Sequence, residues 1–149
     1  MGRRWRDGRG DLVVLGGGGG PSVSVPLEIA TSYRARTKGL LGRDSVDGAI
    51  LLSPANSVHT FRMRIPIDVA YLDRHLRVIA VRTMRPGRLG MPRLRARHVV
   101  EAGAGVMGGW GVRKGAQVEV VVPVQGAQGS RSGSFGDADG TGDPTSNRS

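Results

Sequence analysis

The sequence contains no cysteine among its 149 residues. Disulfide bonds, thiolate zinc sites and cysteine nucleophiles are therefore excluded, and no feature indicates an oxidising compartment. The apolar run nearest the start is Leu12 to Leu15, whereas a signal-peptide core needs about 7–15 apolar residues and a membrane span about 20. Arg6 stands where a myristoylation signal requires serine or threonine. We expect a cytoplasmic protein without membrane attachment.

Lysine is scarce as well. Lys38 and Lys114 are the only lysines, so arginine supplies nearly all of the positive charge, and the formal net charge is +10. Such an excess favours nucleic-acid binding, because basic side chains release counterions from phosphates. The same excess of arginine, together with 25 glycines, is also what the codon bias of a GC-rich genome produces. We therefore expect any nucleic-acid binding to be weak and non-specific.

Both ends of the chain have too few apolar residues to offset the entropy of ordering them. Residues 1–20 are basic and end in five glycines, and residues 126–149 are rich in glycine, serine and aspartate. We predict a flexible N-terminal segment with an additional edge strand at residues 12–15, and a disordered tail at 126–149. A single folded domain is expected at residues 21–125.

Short β-rich runs fill that domain. VSVPLEIA alternates apolar and polar residues, which indicates a half-buried strand. TSYRARTKGLLGR starts with a capping residue, Thr31 or Ser32, and contains Gly39 as a helix end, which predicts a two-turn helix. Further strands are predicted for AILLS, SVHTFRM, IDVAYLD, LRVIAVRTM, HVVEA and QVEVVVPV. We predict a mainly β fold with one or two short helices, arranged as a compact β-barrel-like single domain.

Motifs for a cofactor, a metal or a serine nucleophile are not supported. GAGVMG at 103–108 has the glycine spacing of a dinucleotide loop, but the glycines that follow disfavour the helix which that loop needs. His59, His75 and His98 lack the paired spacing of metal ligands on one helical face. No GxSxG motif is present. We predict no cofactor, no metal site and no assigned catalytic residue.

An arginine-rich stretch, RTMRPGRLGMPRLRAR, runs from Arg82 to Arg97. It has six arginines and no acidic residue, and its prolines and glycines predict a loop. The loop could be a solvated surface, a lid that binds an anion, or a contact for nucleic acid. It lacks the aromatic side chains on which single-strand binders stack bases, which disfavours the last alternative.

The stretch HTFRMRIPIDVAYLD, residues 59–73, places charged side chains among apolar ones. Strand alternation puts His59 on the apolar face, where a buried histidine is expected, and puts Asp68 on the opposite face with two arginines. Asp68 is predicted to pair with an arginine. Arginines bind carboxylate or phosphate groups through two parallel hydrogen bonds. The candidate ligand-binding cluster consists of Arg43, His59, Arg62, Arg64 and Asp68.

The same stretch resembles the central block of domain-of-unknown-function family 192, which reads H-T-F-x-M-R…P-I-D-V-x-[FY]-L-D. RTKGLLGR resembles the first block of that family and VVEAGAGVMGGWGVRKGAQV resembles the closing block, so the similarity covers about Leu27 to Val120. Arg62 stands where many relatives have tryptophan, and Ala116 stands where aspartate usually follows glycine. The resemblance implies a small β-barrel-like domain and brings no established activity.

The sequence leaves the function open between several classes. One is a β domain that binds a small anionic ligand or acts as a chaperone. A second is a structural module that binds a protein partner without catalysis. A third, less favoured, is a hydrolytic enzyme with His59 as general base and Asp68 orienting it, although the two lie on opposite strand faces. Weak nucleic-acid binding is the remaining alternative.

Overall fold

The computed structural model describes residues 5–32, 47–61 and 63–124. Within these ranges the chain forms seven strands and one short α-helix, which confirms the mainly β fold predicted from the sequence. The elements are β1 (Gly8–Val14), β2 (Val23–Ala30), β3 (Ala49–Leu52), β4 (Ile67–Leu72), β5 (Val78–Met84), β6 (His98–Gly103), α1 (Val106–Gly109) and β7 (Val118–Val121). Most of the helix predicted after Thr31, the candidate residues Arg43 and Arg62, and the tail at 126–149 lie outside the described residues.

The strands form one sheet in the order β5-β4-β6-β3-β2-β1-β7. β2 and β3 are parallel, and the other neighbouring pairs are antiparallel. The sheet curls into a half-barrel whose outer strands meet at one end. There the Val78 N–H donates to the Ala116 carbonyl (2.9 Å), and the Gly115 N–H donates to the Val78 carbonyl (2.8 Å).

β1 is an interior strand, not the edge strand expected at residues 12–15. It starts at Gly8 and pairs with β2 along its whole length, while residues 11–14 also pair with β7. Leu12 and Val14 are buried in the core. The expectation differed because β7 comes from the far end of the domain, and a local sequence pattern carries no information about that partner.

The sheet buries apolar side chains on both faces. All six residues of β4 are buried, as is typical of a strand covered on both sides. Ala70 and Leu72 pack with Leu12 and Leu51 inside the half-barrel. Ile67, Val69 and Tyr71 pack on the outer face, where Val58 and Met63 cover them.

The described residues of the run SVHTFRM, which was predicted as a strand, are irregular apart from an isolated bridge between His59 and Leu89. Its backbone pairs with a distant loop instead of a sheet strand. The predicted alternation nevertheless holds from Met63 onward, because Met63 and Ile65 pack on the same face as Ile67.

Candidate anion-binding surface

Two loops lie side by side next to the outer face of the sheet. We call residues 53–66 and 85–97 the paired loops. Backbone hydrogen bonds join them in antiparallel order: Ala55 N to Arg97 O (2.9 Å), Arg93 N to Asn56 O (3.0 Å), Gly90 N to Val58 O (2.7 Å) and Thr60 N to Arg88 O (2.7 Å). This ladder holds each loop against the other.

Gly90 lies where the second loop contacts the sheet, and a side chain there would require Tyr71 or Val58 to shift. A Cβ atom at Gly90 would lie 2.7 Å from the Tyr71 hydroxyl oxygen and 3.0 Å from the Val58 carbonyl oxygen. Real Cβ atoms essentially never come as close as the first of these distances. Gly90 therefore lets the second loop pack directly on β4.

Thr60 is the central contact between the paired loops. Its exposed fraction is 0%, and its hydroxyl donates to the Arg85 carbonyl (2.6 Å) and accepts from the Arg88 N–H (2.7 Å). The Thr60 carbonyl also accepts from the Gly87 N–H (2.7 Å). A buried polar side chain with these partners fixes the turn at residues 85–88.

We expect Thr60→Val to lower the melting temperature by about 4–12 °C. The valine leaves the Arg88 N–H without its acceptor, which costs about 1–3 kcal/mol, and each kcal/mol shifts the midpoint by about 4 °C in a domain of this size. Thr60→Ser keeps the hydroxyl and serves as the control. Equal melting temperatures for the two variants in differential scanning calorimetry would contradict this role.

The arginines of the second loop fall into two groups. The Arg97 Nη1 donates to the Leu94 carbonyl (3.0 Å), and the Arg93 guanidinium lies 4.9 Å from the centre of the Tyr71 ring. These two side chains anchor the loop. A second group consists of exposed side chains that make no side-chain hydrogen bond or ion pair with the described residues: Arg85, Arg88 and Arg95.

Neither of the paired loops contains an aspartate or glutamate. Positive charge on their surface is therefore not neutralised from within the loops. Because the backbone beneath Arg85 and Arg88 is fixed by Thr60, the two guanidinium groups project from a defined turn. The arrangement suits the binding of a phosphate or carboxylate group.

His59 is exposed, so the sequence-based expectation of a buried histidine is wrong. Its ring stacks on Phe61, with ring centroids 5.3 Å apart and an interplanar angle of 21°. The difference has a simple cause: His59 lies in a loop, so strand alternation does not apply to it. Arg64, also exposed, lies in the same loop.

Asp68 lies away from this surface, on the face of β4 that packs inside the half-barrel. It is 4% exposed, and its Oδ1 accepts from the Thr83 hydroxyl (2.7 Å). Its Oδ2 accepts from the backbone N–H groups of Gly105 (2.9 Å) and Met107 (3.2 Å). In the described part of the chain these neutral donors, not an arginine, hold the carboxylate. Asp68 thus fixes the turn that starts α1.

The candidate cluster is therefore divided. His59 and Arg64 share one of the paired loops, and Asp68 lies on the opposite side of the sheet from the residues that pack beneath that loop. The structure does not bring His59 and Asp68 together. Arg43 and Arg62 belong to the undescribed part of the chain.

Glu101 is a buried acid that the sequence reasoning missed. It lies on β6 opposite Ile50 and Val69 and is 5% exposed. Burial among these apolar neighbours raises the pKa of its carboxyl to about 7. No hydrogen bond reaches the carboxylate from residues 5–32, 47–61 or 63–124. An acid inside the apolar run HVVEA was the available signal.

The remaining histidines are spread over the fold. The His98 Nδ1 lies 2.7 Å from the Ser53 hydroxyl oxygen, and both side chains are buried. The described ranges contain no group of three or more His, Asp or Glu side chains placed to hold a metal ion. They also contain no helix long and apolar enough to cross a bilayer. A cytoplasmic location stays a prediction.

Comparison with known proteins identifies the family. The model of domain-of-unknown-function family 192 (DUF192), described as an uncharacterised ACR family, matches residues 15–120. The chain belongs to DUF192. A UPF0127 protein of Pyrococcus horikoshii is 33% identical over 85 residues, which cover 54% of this chain and 74% of that protein. A UPF0127 protein of Pyrococcus abyssi is 33% identical over 99 residues, covering 63% of this chain and 80% of that one.

Solved structures share the DUF192 chain's fold at low sequence identity. One from Sinorhizobium meliloti has a TM-score of 0.66 at 16% identity, and the alignment covers 79% of this chain and 98% of the Sinorhizobium chain. A protein of unknown function from Novosphingobium aromaticivorans has a TM-score of 0.64 at 20% identity, and the alignment covers 73% of this chain and 83% of the Novosphingobium chain. At this identity the similarity shows the fold alone. The names of the UPF0127 relatives state no activity.

Proposed function

We propose that this DUF192 protein is a binding module for anionic ligands, and that the paired loops form its binding surface. The observation that carries the proposal is the set of exposed guanidinium groups of Arg85, Arg88 and Arg95 in a loop pair without acidic residues. Guanidinium groups bind phosphate and carboxylate through charge-assisted hydrogen bonds, often two at a time.

The rigidity of the paired loops supports binding. Five backbone hydrogen bonds hold the two loops together, and the Thr60 hydroxyl holds the turn that carries Arg85 and Arg88. A ligand then needs to order the arginine side chains but not the backbone, which lowers the entropic cost of association.

The geometry supports binding more than catalysis. A general base needs the reacting proton within hydrogen-bond reach and, in a triad-like arrangement, a third group that orients the base. His59 stacks on Phe61, while Asp68 is occupied by Thr83, Gly105 and Met107 on the other side of the sheet. A module that binds a protein partner without catalysis is the alternative.

We expect a thermal-shift screen against phosphorylated and carboxylated metabolites to identify a stabilising anion. Ligand at about 100 times its Kd adds about 2.7 kcal/mol, which raises the melting temperature by about 10 °C. The double variant Arg85→Gln/Arg88→Gln should lose most of this shift, because it removes two guanidinium groups from the turn.

The matched control is Arg113→Gln/Lys114→Gln. These exposed side chains line a separate cleft of about 750 Å³ next to Gly115, at the end of β5 opposite the paired loops. The control removes the same formal charge and should keep the shift. If both double variants lost the ligand-induced rise in melting temperature to the same extent, a specific site would be contradicted. If no compound in the screen raised the melting temperature, the partner-binding module would be favoured.

A further inference from the structure

The paired loops also carry large apolar side chains that face solvent. Leu89 is 70% exposed, Met91 76% and Leu94 89%, and Phe61 on the neighbouring loop is 48% exposed. Single apolar residues on a surface are normal, but a group on adjoining loops is a mark of an interaction surface. Those of the second loop lie in sequence between the exposed Arg88 and Arg95.

The apolar side chains project from the surface. Residues that line a groove are partly buried by its walls, whereas these side chains in the second loop are exposed over most of their area. The backbone beneath them is held by the contacts to Val58 and Asn56. The second loop therefore has a backbone held in place by hydrogen bonds and exposes both apolar side chains and guanidinium groups.

We propose that the paired loops dock this protein peripherally on an anionic phospholipid bilayer, with Leu89, Met91 and Leu94 entering the headgroup region and the arginines contacting lipid phosphates. The proposal rests on the proposed anion binding and names the headgroup phosphate as the anion. The sequence predicted no membrane attachment because it lacks a spanning run and a lipid anchor. Docking from the surface requires neither.

A bilayer fits this surface better than an acidic protein does. An anionic bilayer presents phosphates at its surface, and an apolar protein face enters about 5–10 Å into the boundary between headgroups and acyl chains, so the bilayer matches side chains of both kinds on one projection. A protein partner would need a pocket for each projecting side chain. Electrostatic attraction by arginine and burial of apolar area together form the two signals that stable peripheral binding requires.

The test uses the full chain and sedimentation with sucrose-loaded vesicles. Vesicles of phosphatidylcholine with phosphatidylglycerol should bind the protein, binding should weaken as salt is raised, and pure phosphatidylcholine vesicles should bind far less. Leu89→Ser/Leu94→Ser should weaken binding by roughly tenfold or more for each leucine that enters the bilayer. Each of Arg85→Gln, Arg88→Gln and Arg95→Gln should weaken it about fivefold.

Controls separate docking from general charge and from misfolding. Arg113→Gln/Lys114→Gln should bind the anionic vesicles more tightly than Arg85→Gln/Arg88→Gln, although both lose the same charge. Each variant should keep the wild-type melting temperature within a few degrees, because the replaced side chains are exposed. If Leu89→Ser/Leu94→Ser bound the anionic vesicles as tightly as the wild-type protein, docking through these leucine side chains would be overturned.

The remaining outcomes distinguish the two proposals. Binding of soluble glycerol phosphate that depends on Arg85 and Arg88, without vesicle binding, would keep the anion-binding function and overturn docking. Failure of both ligands to bind would overturn both. Binding of an acidic peptide that depends on Leu89 and Leu94, with no vesicle binding, would assign the surface to a protein partner and overturn the lipid proposal.

Discussion

Replacing Asp68 with alanine is expected to lower the melting temperature by roughly 12–20 °C. The alanine removes the acceptor for the N–H groups of Gly105 and Met107 and for the Thr83 hydroxyl. Leaving such donors unsatisfied costs about 1–3 kcal/mol each, so we expect a total of about 3–5 kcal/mol. At about 4 °C per kcal/mol this gives the stated fall, which calorimetry at one pH would measure.

The variant Asp68→Asn distinguishes a carboxylate held by neutral hydrogen-bond donors from one that pairs with a buried arginine. The amide keeps one oxygen for Gly105 and Met107, and the Thr83 hydroxyl can turn to accept from the amide nitrogen. We expect a loss of about 1 kcal/mol, or about 4 °C. An aspartate that pairs with a buried arginine would instead strand that arginine, at about 3–5 kcal/mol. A fall of well over ten degrees would therefore restore the ion-pair hypothesis.

The second large effect concerns Glu101 and pH. Burial raises the pKa of its carboxyl from the ordinary 4.5 to about 7 in the folded protein. The folded state therefore binds this proton more tightly than the unfolded state does. The resulting stabilisation is fully present below about pH 4.5 and is lost as the pH rises through about 7. The pKa difference corresponds to about 3 kcal/mol.

Glu101→Gln should remove this pH dependence, since the amide is neutral at every pH and nearly the same size. At pH 8 we expect the glutamine variant to melt about 10 °C above the parent, and near pH 4.5 we expect the two to melt close together. Glu119→Gln, at an exposed position of β7, is the control and should keep the parent's pH profile. Parallel profiles for the parent and Glu101→Gln would show that Glu101 does not titrate in this range.

Much of the fold could be predicted because the strands have local signals. The run VSVPLEIA became β2 with the same bounds, Val23–Ala30, and the alternation in β4 placed Asp68 on the face opposite Val69. SVHTFRM has the composition of a strand but became a loop. Thr60 and Val58 find their backbone partners in the second loop, 28 and 32 residues further along the chain at Arg88 and Gly90. A local pattern cannot show such a contact.

The proposed surface was less predictable, because the candidate cluster named from the sequence contains none of Arg85, Arg88 and Arg95. The lack of acidic residues marked the arginine-rich loop, and the glycines and prolines marked it as irregular. The sequence could not show which arginines are anchored, because Arg93 depends on Tyr71 and Arg97 on the turn at Leu94. Glu101 was missed because an acid within HVVEA resembles an outward-facing residue until the covering of the outer face is known.

The pairing of β1 with β7 has a consequence for the connectivity of the chain. These first and last strands are antiparallel neighbours, and residues from both ends of the described domain, Trp5 and Val124, line one cavity of about 550 Å³. The two ends of the described domain therefore lie close together. In a circularly permuted chain, a linker would join Val124 to Trp5 and the new N-terminus would lie in the glycine turn between β1 and β2. Such a chain should keep every strand pair.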